Sequence, residues 1–113
     1  MVKASPDASP LVVWEGSHER MWAAFAALFA GLEPGTWGNV DATEVYQAAR
    51  RDVFASCRRV EVSAKPGEAY LVHRLALHGM APWGPSASAG PDGRMVVYFR
   101  PSIGDPGRWL SAP

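Results

Sequence analysis

The pattern of apolar and polar positions divides the chain into a short strand, two helices and a strand-rich second half. Residues 11–14 form an apolar run that ends at a Glu-Gly pair, which predicts a short β-strand. Apolar side chains then recur every three or four residues across 18–30, and every four residues across 42–55. These two stretches predict amphipathic helices, and the turn-rich stretch 33–39 predicts the connection between them.

Polar residues at the ends of these stretches support the two helices. Ser17 is a favourable N-cap for the first helix, because a serine oxygen can accept a hydrogen bond from an unpaired N–H of the first turn. Gly31 is placed to end that helix. Asp41 and Glu44 form an acidic version of the capping box at the start of the second helix. The sequence therefore predicts the start of both helices and the end of the first.

The second half of the chain changes to the two-residue period of strands. Val60 and Val62 alternate with polar residues, which predicts a half-buried strand. A Pro-Gly pair, which favours a type II turn, then leads into the apolar stretch 69–77, predicted as a central strand paired with its predecessor in a hairpin. A last strand is predicted over 94–100, and Trp109 is expected to pack the tail back onto the body.

The sum of these elements predicts an α+β fold in a single domain over residues 1–113. Helices gathered in one stretch, with antiparallel strands after them, are typical of α+β proteins. The same order suits the second half of a jelly-roll barrel decorated with helices. At 113 residues the chain has the size of one domain with a modest core.

Composition narrows the range of partners and compartments. Eleven basic and eleven acidic residues balance without a charge block, which argues against nucleic acid and anionic membranes as partners. The apolar run 21–32 is shorter than the about 20 residues that a membrane span needs. The single cysteine, Cys57, fits a reducing compartment. We therefore expect a cytoplasmic protein that binds neither nucleic acid nor membranes.

Three segments together resemble a known family. Residues 69–82 read Ala-Tyr-Leu-Val-His-x4-His-Gly-x-x-Pro, and residues 94–101 read Arg-Met-Val-Val-Tyr-Phe-Arg-Pro. Upstream, residues 9–18 read Ser-Pro-Leu-Val-Val-Trp-Glu-Gly-Ser-His. In order and spacing they resemble the C-terminal half of the phytanoyl-CoA dioxygenase family. That resemblance implies a partial double-stranded β-helix of the jelly-roll or cupin-like type, and an Fe(II)- and 2-oxoglutarate-dependent oxygenase that hydroxylates a small organic substrate.

The resemblance also implies roles for two residues. His78 corresponds to the distal ligand of the two-histidine, one-carboxylate triad that holds iron(II). Arg94 corresponds to the arginine that pairs with the distal carboxylate of 2-oxoglutarate, a role for which a planar, permanently charged fork is suited. The alternative for His78 is a strand-end histidine that satisfies a backbone group. The alternative for Arg94 is a rim arginine that pairs with Asp92 or with solvent.

Other residues near these two have simpler interpretations. His73 and His18 are interpreted as structural, because an odd separation from His78 places His73 on the opposite face of an unbroken strand. Tyr98 shares the Arg94 face and either lines the same cavity or packs in the core. No catalytic residue beyond the cofactor-binding pair is identified.

The sequence departs from the family in its iron ligands. It contains no His-x-Asp or His-x-Glu, the motif that carries the other two ligands. We therefore expect either a C-terminal piece of a longer oxygenase or a non-catalytic relative. In the second case the chain self-associates, as a homo-oligomer, or binds a partner through exposed strands. An ordinary cupin is a further alternative, which the lack of a His-x-His cluster disfavours.

Overall fold

The structure is a computed structural model that describes residues 9–88, 97–102 and 104–111. Its elements are, in chain order, β1 (Leu11–Trp14), α1 (Ser17–Leu28), a 3₁₀ helix (Pro34–Asn39), α2 (Thr43–Ser56), β2 (Arg59–Val62), β3 (His78–Met80) and a second 3₁₀ helix (Pro106–Leu110). The predicted α+β class is confirmed, with two α-helices beside one antiparallel sheet. No helix in the described ranges has the length and apolarity to cross a bilayer.

The sheet is built around β1, which is its central strand. The strand order is β2-β1-β3, and both neighbours run antiparallel to β1. Leu11 lies opposite Val62 on one side and opposite Met80 on the other. Directly paired residues share a face of the sheet. One face therefore carries an aliphatic cluster, formed by Leu11, Val13, Val60, Val62 and Met80.

The two α-helices form the second layer. Together with the loop before β3 they enclose the core. Met21 of α1, Val53 of α2 and Leu75 of the loop before β3 are buried in contact with one another. Complete burial of such a side chain stabilises a fold by about 1.5–3 kcal/mol. The half-buried residues packed around this cluster are Trp14, Trp22, Phe25, Ala49, Cys57, Leu77, Trp109 and Leu110.

The predicted elements of the first half are confirmed with small changes at their ends. The helix predicted over 18–30 covers Ser17–Leu28, and the one predicted over 42–55 covers Thr43–Ser56. Ser17 is not the N-cap, because Gly16 holds that position with a φ of 74° and Ser17 is the first helical residue. The left-handed backbone at Gly16 turns the chain from β1 into α1 at a conformation that glycine adopts without strain.

The prediction of a central strand over residues 69–77 is wrong. The type II turn before it forms, with the Glu68 N–H donating to the Lys65 carbonyl over 2.9 Å and a φ of 85° at Gly67. Residues 68–73 then lie outside regular structure, and regular pairing begins only at His78. The predicted hairpin between β2 and residues 69–77 is absent, because β2 pairs with β1 instead.

The strand predicted over residues 94–100 falls partly outside the described residues. Residues 97–100 lie within them and form no strand there. Val97, Tyr98 and Phe99 are instead largely exposed, with Phe99 at 87%. The predicted packing of the tail is confirmed, because the Trp109 ring lies 5.2 Å from that of Phe25.

Candidate functional site

Two distant segments meet where β1 turns into α1 and where β3 begins. The Trp14 N–H donates to the Leu77 carbonyl over 3.1 Å, which extends the ladder between β1 and β3 by one bond. The Leu77 N–H donates to Ser17 Oγ over 2.8 Å. Ser17 is completely buried, so its hydroxyl provides an acceptor that water cannot replace. The Gly-Ser-His segment and the His-Gly segment are thus joined directly.

The loop that carries Leu75 and Leu77 is fixed by side chains as well as by its backbone. The Leu75 N–H donates to His73 Nδ1 over 3.1 Å, and the Ala76 N–H donates to the His73 carbonyl over 3.0 Å. Arg74 Nε donates to the Trp109 carbonyl over 2.9 Å. These bonds tie the loop to the second 3₁₀ helix and place Leu75 in the core.

A cleft of about 260 Å³ opens between this loop, α1, α2 and the second 3₁₀ helix. Its apolar walls are formed by Met21, Phe25, Leu75, Ala76, Leu77 and Trp109. Its polar lining comes from three other side chains, those of Tyr46, Arg74 and His78. Ligand sites have this composition, with a mostly apolar surface and a few polar groups that fix orientation. The cleft is therefore the candidate site.

The sequence indicates a position at the end of a strand for His78. In the structure His78 is instead the first residue of β3. Its Nδ1 is 2.8 Å from the Ala76 carbonyl oxygen. A carbonyl oxygen only accepts hydrogen bonds, so Nδ1 carries the proton and Nε2 of the neutral ring carries the lone pair. The ring is solvent-exposed, and its orientation is set by this contact. His78 therefore has one ring nitrogen, Nε2, whose lone pair is available to a ligand at the edge of the cleft.

The other two histidines form a separate contact. The His18 and His73 rings lie 4.8 Å apart, and Leu75 occupies the Nδ1 acceptor of His73. Residues 73 and 78 do not share a strand, since a turn at residues 74–75 separates them. The structural interpretation of His73 agrees with this geometry.

The second predicted site residue, Arg94, lies outside the described residues, and so does its predicted proximity to His78. Tyr98 is within them. It is 71% exposed and does not line the cleft. The core alternative for Tyr98 is therefore wrong, whereas a cavity shared with Arg94 stays a prediction, because Arg94 lies outside the described residues.

The described residues do not fit a complete iron site. Across 9–88, 97–102 and 104–111, no three His, Cys, Asp or Glu side chains are grouped as metal ligands. His78 supplies one candidate nitrogen, and the described residues supply no counterpart of the other histidine or of the carboxylate. The same set gives no support to a cupin-type metal site.

Two residues of the site carry no local signal that sequence reasoning could have used. Arg74 and Tyr46 come from the loop and from α2, and only the tertiary packing brings them to one cleft. Ser17 was interpreted as a helix cap because serine is favoured there. Its actual partner, Leu77, is sixty residues away in the chain.

No protein-family model, curated protein or solved structure matches this chain.

Proposed function

We propose that this chain is the distal-histidine part of an Fe(II)- and 2-oxoglutarate-dependent oxygenase of the phytanoyl-CoA dioxygenase type. In the complete enzyme the decarboxylation of 2-oxoglutarate is coupled to hydroxylation of a small organic substrate. The sheet β2-β1-β3 would then be part of a double-stranded β-helix. A reducing compartment such as the cytoplasm suits both ferrous iron and an unpaired Cys57.

The observation that carries this proposal is the junction between the two family-like segments. The resemblance rests on Gly16-Ser17-His18 and on His78-Gly79, which are far apart in the sequence. The buried Ser17–Leu77 hydrogen bond and the pairing of β1 with β3 bring these segments together beside one cleft. Segments that contribute to one site are expected to meet in this way.

The tautomer of His78 also supports a role as a metal ligand. Metal-binding histidines commonly donate their second ring N–H to a backbone carbonyl or a carboxylate, which fixes the ring and exposes the ligating nitrogen. The contact between His78 Nδ1 and the Ala76 carbonyl has this form. It leaves Nε2 as the nitrogen that would bind iron.

The remaining groups of the proposed site would lie outside the described residues. The other histidine and the carboxylate would come from residues outside this chain, in a longer polypeptide or a partner. Arg94 would hold the distal carboxylate of 2-oxoglutarate, by resemblance. Arginine suits this task because its fork meets both carboxylate oxygens at once and keeps its charge.

Anaerobic titration of the purified chain with Fe(II) and 2-oxoglutarate tests the proposal. Although two iron ligands would come from elsewhere, His78 would add one ligand and Arg94 one 2-oxoglutarate contact to the chelate, so we expect a visible charge-transfer band above that of the iron–keto acid chelate in buffer. His78→Ala and Arg94→Ala should each reduce the band to the buffer level. The matched controls are His18→Gln and Arg100→Ala, which change the same residue types outside the proposed ligand set and should retain the band.

Either of two results would overturn the proposal for this chain. One is the absence of any band above buffer at every protein concentration. The other is a band that persists in His78→Ala, because the iron would then be bound by other groups.

A second candidate function is a non-catalytic domain that self-associates. It is favoured by the apolar side chains at residues 97–99, which are 74%, 71% and 87% exposed. The outer edges of β2 and β3 also have no strand partner among the described residues. Such edges are templates for pairing with another chain. Sedimentation velocity over a hundredfold concentration range distinguishes the two functions. The self-associating domain requires a dimer or larger species, and it requires that no iron-dependent band is seen.

A further inference from the structure

The cleft has a fixed shape, because contacts between distant parts of the chain hold its walls. Trp22 Nε1 donates to the Leu110 carbonyl over 2.9 Å. The Trp109 ring lies 5.2 Å from that of Phe25, so two aromatic walls of the cleft pack against each other. The cleft is thus formed before any ligand enters it, which lowers the ordering cost of binding.

Among the described residues, Arg74 is the one charged side chain that lines the cleft, and the protein itself engages it. Arg74 Nε donates to the Trp109 carbonyl over 2.9 Å, and Arg74 Nη1 lies 3.4 Å from His73 Nε2. These contacts tie the loop before β3 to the second 3₁₀ helix, so the guanidinium is part of the wall. A charged ligand would lose its hydration and meet no counter-charge that is not already in use, which disfavours it.

The polar groups left to a ligand are uncharged. His78 Nδ1 is held by the Ala76 carbonyl oxygen, so Nε2 of the neutral ring has a lone pair at the edge of the cleft. Such a nitrogen accepts a hydrogen bond and cannot donate one. Tyr46 adds a hydroxyl, which can donate or accept. The cleft therefore favours an uncharged ligand that brings a hydrogen-bond donor of its own.

We propose that the cleft of the metal-free chain binds a small uncharged molecule of the phenol class. Its ring would lie against Phe25, Leu75 and Trp109, where aromatic partners prefer an aromatic neighbour, and its hydroxyl would donate to His78 Nε2. The volume of about 260 Å³ lies just below the about 300–1,000 Å³ of drug-sized ligand sites, which limits the occupant to about one ring. The inference does not rest on the proposed oxygenase function, because iron bound at Nε2 would compete with the hydroxyl.

Binding is tested by NMR titration of the metal-free full chain with phenol at about pH 8, where an ordinary imidazole is neutral. Toluene is the matched probe without a hydroxyl, and benzoate is the charged probe. We expect phenol to give a saturable shift of the Trp109 indole N–H, assigned with Trp109→Phe, and no shift of the exposed Trp83. The nitrogen resonance of His78 Nε2 should move with phenol and not with toluene. Benzoate should bind about tenfold more weakly than phenol, because its charge loses hydration without a free partner.

Variants of His78 locate the hydroxyl. His78→Leu should weaken phenol binding about fivefold, the net contribution of one neutral hydrogen bond, and should leave toluene binding within about twofold. His78→Gln restores an acceptor oxygen and should recover part of the loss. His18→Leu removes a histidine that does not line the cleft and should bind both probes as the parent does. Circular dichroism of each variant verifies that it is folded.

The inference is overturned if phenol gives no saturable shift of Trp109 in the folded chain, or if it shifts Trp83 as much. It is also overturned if His78→Leu keeps the parent's affinity for phenol, if it weakens phenol and toluene equally, or if benzoate binds as tightly as phenol. Because the titration contains no iron and no 2-oxoglutarate, its failure leaves the oxygenase proposal standing. Conversely, failure of the charge-transfer experiment leaves this titration unaffected.

Discussion

Two apolar stretches of the second half lie in very different environments. The stretch 71–77 contributes Leu75 and Leu77 to the core, and its backbone N–H groups are held by His73 and Ser17. The stretch 97–100 leaves its apolar side chains in solvent and forms no strand. Both have the composition of strands. Apolar content alone therefore does not place a stretch in the core.

The strongest test of this comparison is to replace one buried and one exposed leucine of the same loop. Leu75 is 5% exposed, whereas Leu71 is fully exposed. Leu75→Ala should lower the free energy of unfolding by about 2–5 kcal/mol, because it removes buried contacts and leaves a cavity. Leu71→Ala should change it by less than about 0.5 kcal/mol. Urea denaturation measures both, and equal losses would show that the loop is not anchored as described.

Removal of a polar anchor should have the next largest effect. Ser17→Ala deletes the acceptor of the Leu77 N–H at a completely buried position. An unpaired buried donor costs about 1–3 kcal/mol, so the free energy of unfolding should fall by that amount. Ser102→Ala, at an exposed position, is the control and should be neutral. Amide exchange at Leu77 should accelerate in the first variant alone, and unchanged exchange would contradict the anchoring role.

The exposed stretch should tolerate polar substitution. Tyr98→Ser and Phe99→Ser should each change the free energy of unfolding of the monomer by less than about 0.5 kcal/mol, because neither side chain is buried. If the chain self-associates through this stretch, the same variants should shift the sedimentation coefficient towards the monomer. A loss of several kcal/mol in the monomer would mean that this stretch belongs to the core.

The smallest effect is expected at an exposed hydrogen bond, the one that Asp41 accepts at the start of α2. The Thr43 side chain lowers the pKa of the Asp41 carboxyl below its ordinary value, together with the Thr43 N–H, which donates to Asp41 Oδ1 over 3.0 Å. Because the folded-state pKa is the lower one, the stabilisation is complete above the ordinary value of about 3.9 and is lost as the pH falls through the folded pKa. The carboxyl resonance of Asp41 should titrate at lower pH in the folded chain than in urea. Asp41→Asn should remove this pH dependence of α2.

The same contrast explains which elements could be predicted from the sequence. The strand at 11–14, the helix of Thr43–Ser56 and the alternation of Val60 and Val62 follow from periodicity and local turn chemistry. The strand expected over 69–77 has the right composition, yet β1, and not this stretch, pairs with β2. Local patterns carry no information about that competition.

The candidate site was only partly predictable, for the same reason. His78 was identified from a short motif, and the structure places it at the cleft. Its hydrogen bond to Ala76 depends on a turn that the strand prediction did not allow. Arg74, Tyr46 and Ser17 contribute through contacts between distant segments. Residue type and spacing within one segment cannot indicate such contacts.

The central position of β1 has a consequence for the order in which the molecule folds. Among the described elements β1 is synthesised before both of its partners, which follow after the two helices. During synthesis α1 and α2 can therefore pair while β1 is still unpaired, and the sheet closes only once β3 has been made. Contacts of such long sequence separation slow folding, because loop entropy must be lost before they form. We expect the helical layer to acquire protection from exchange before the sheet does.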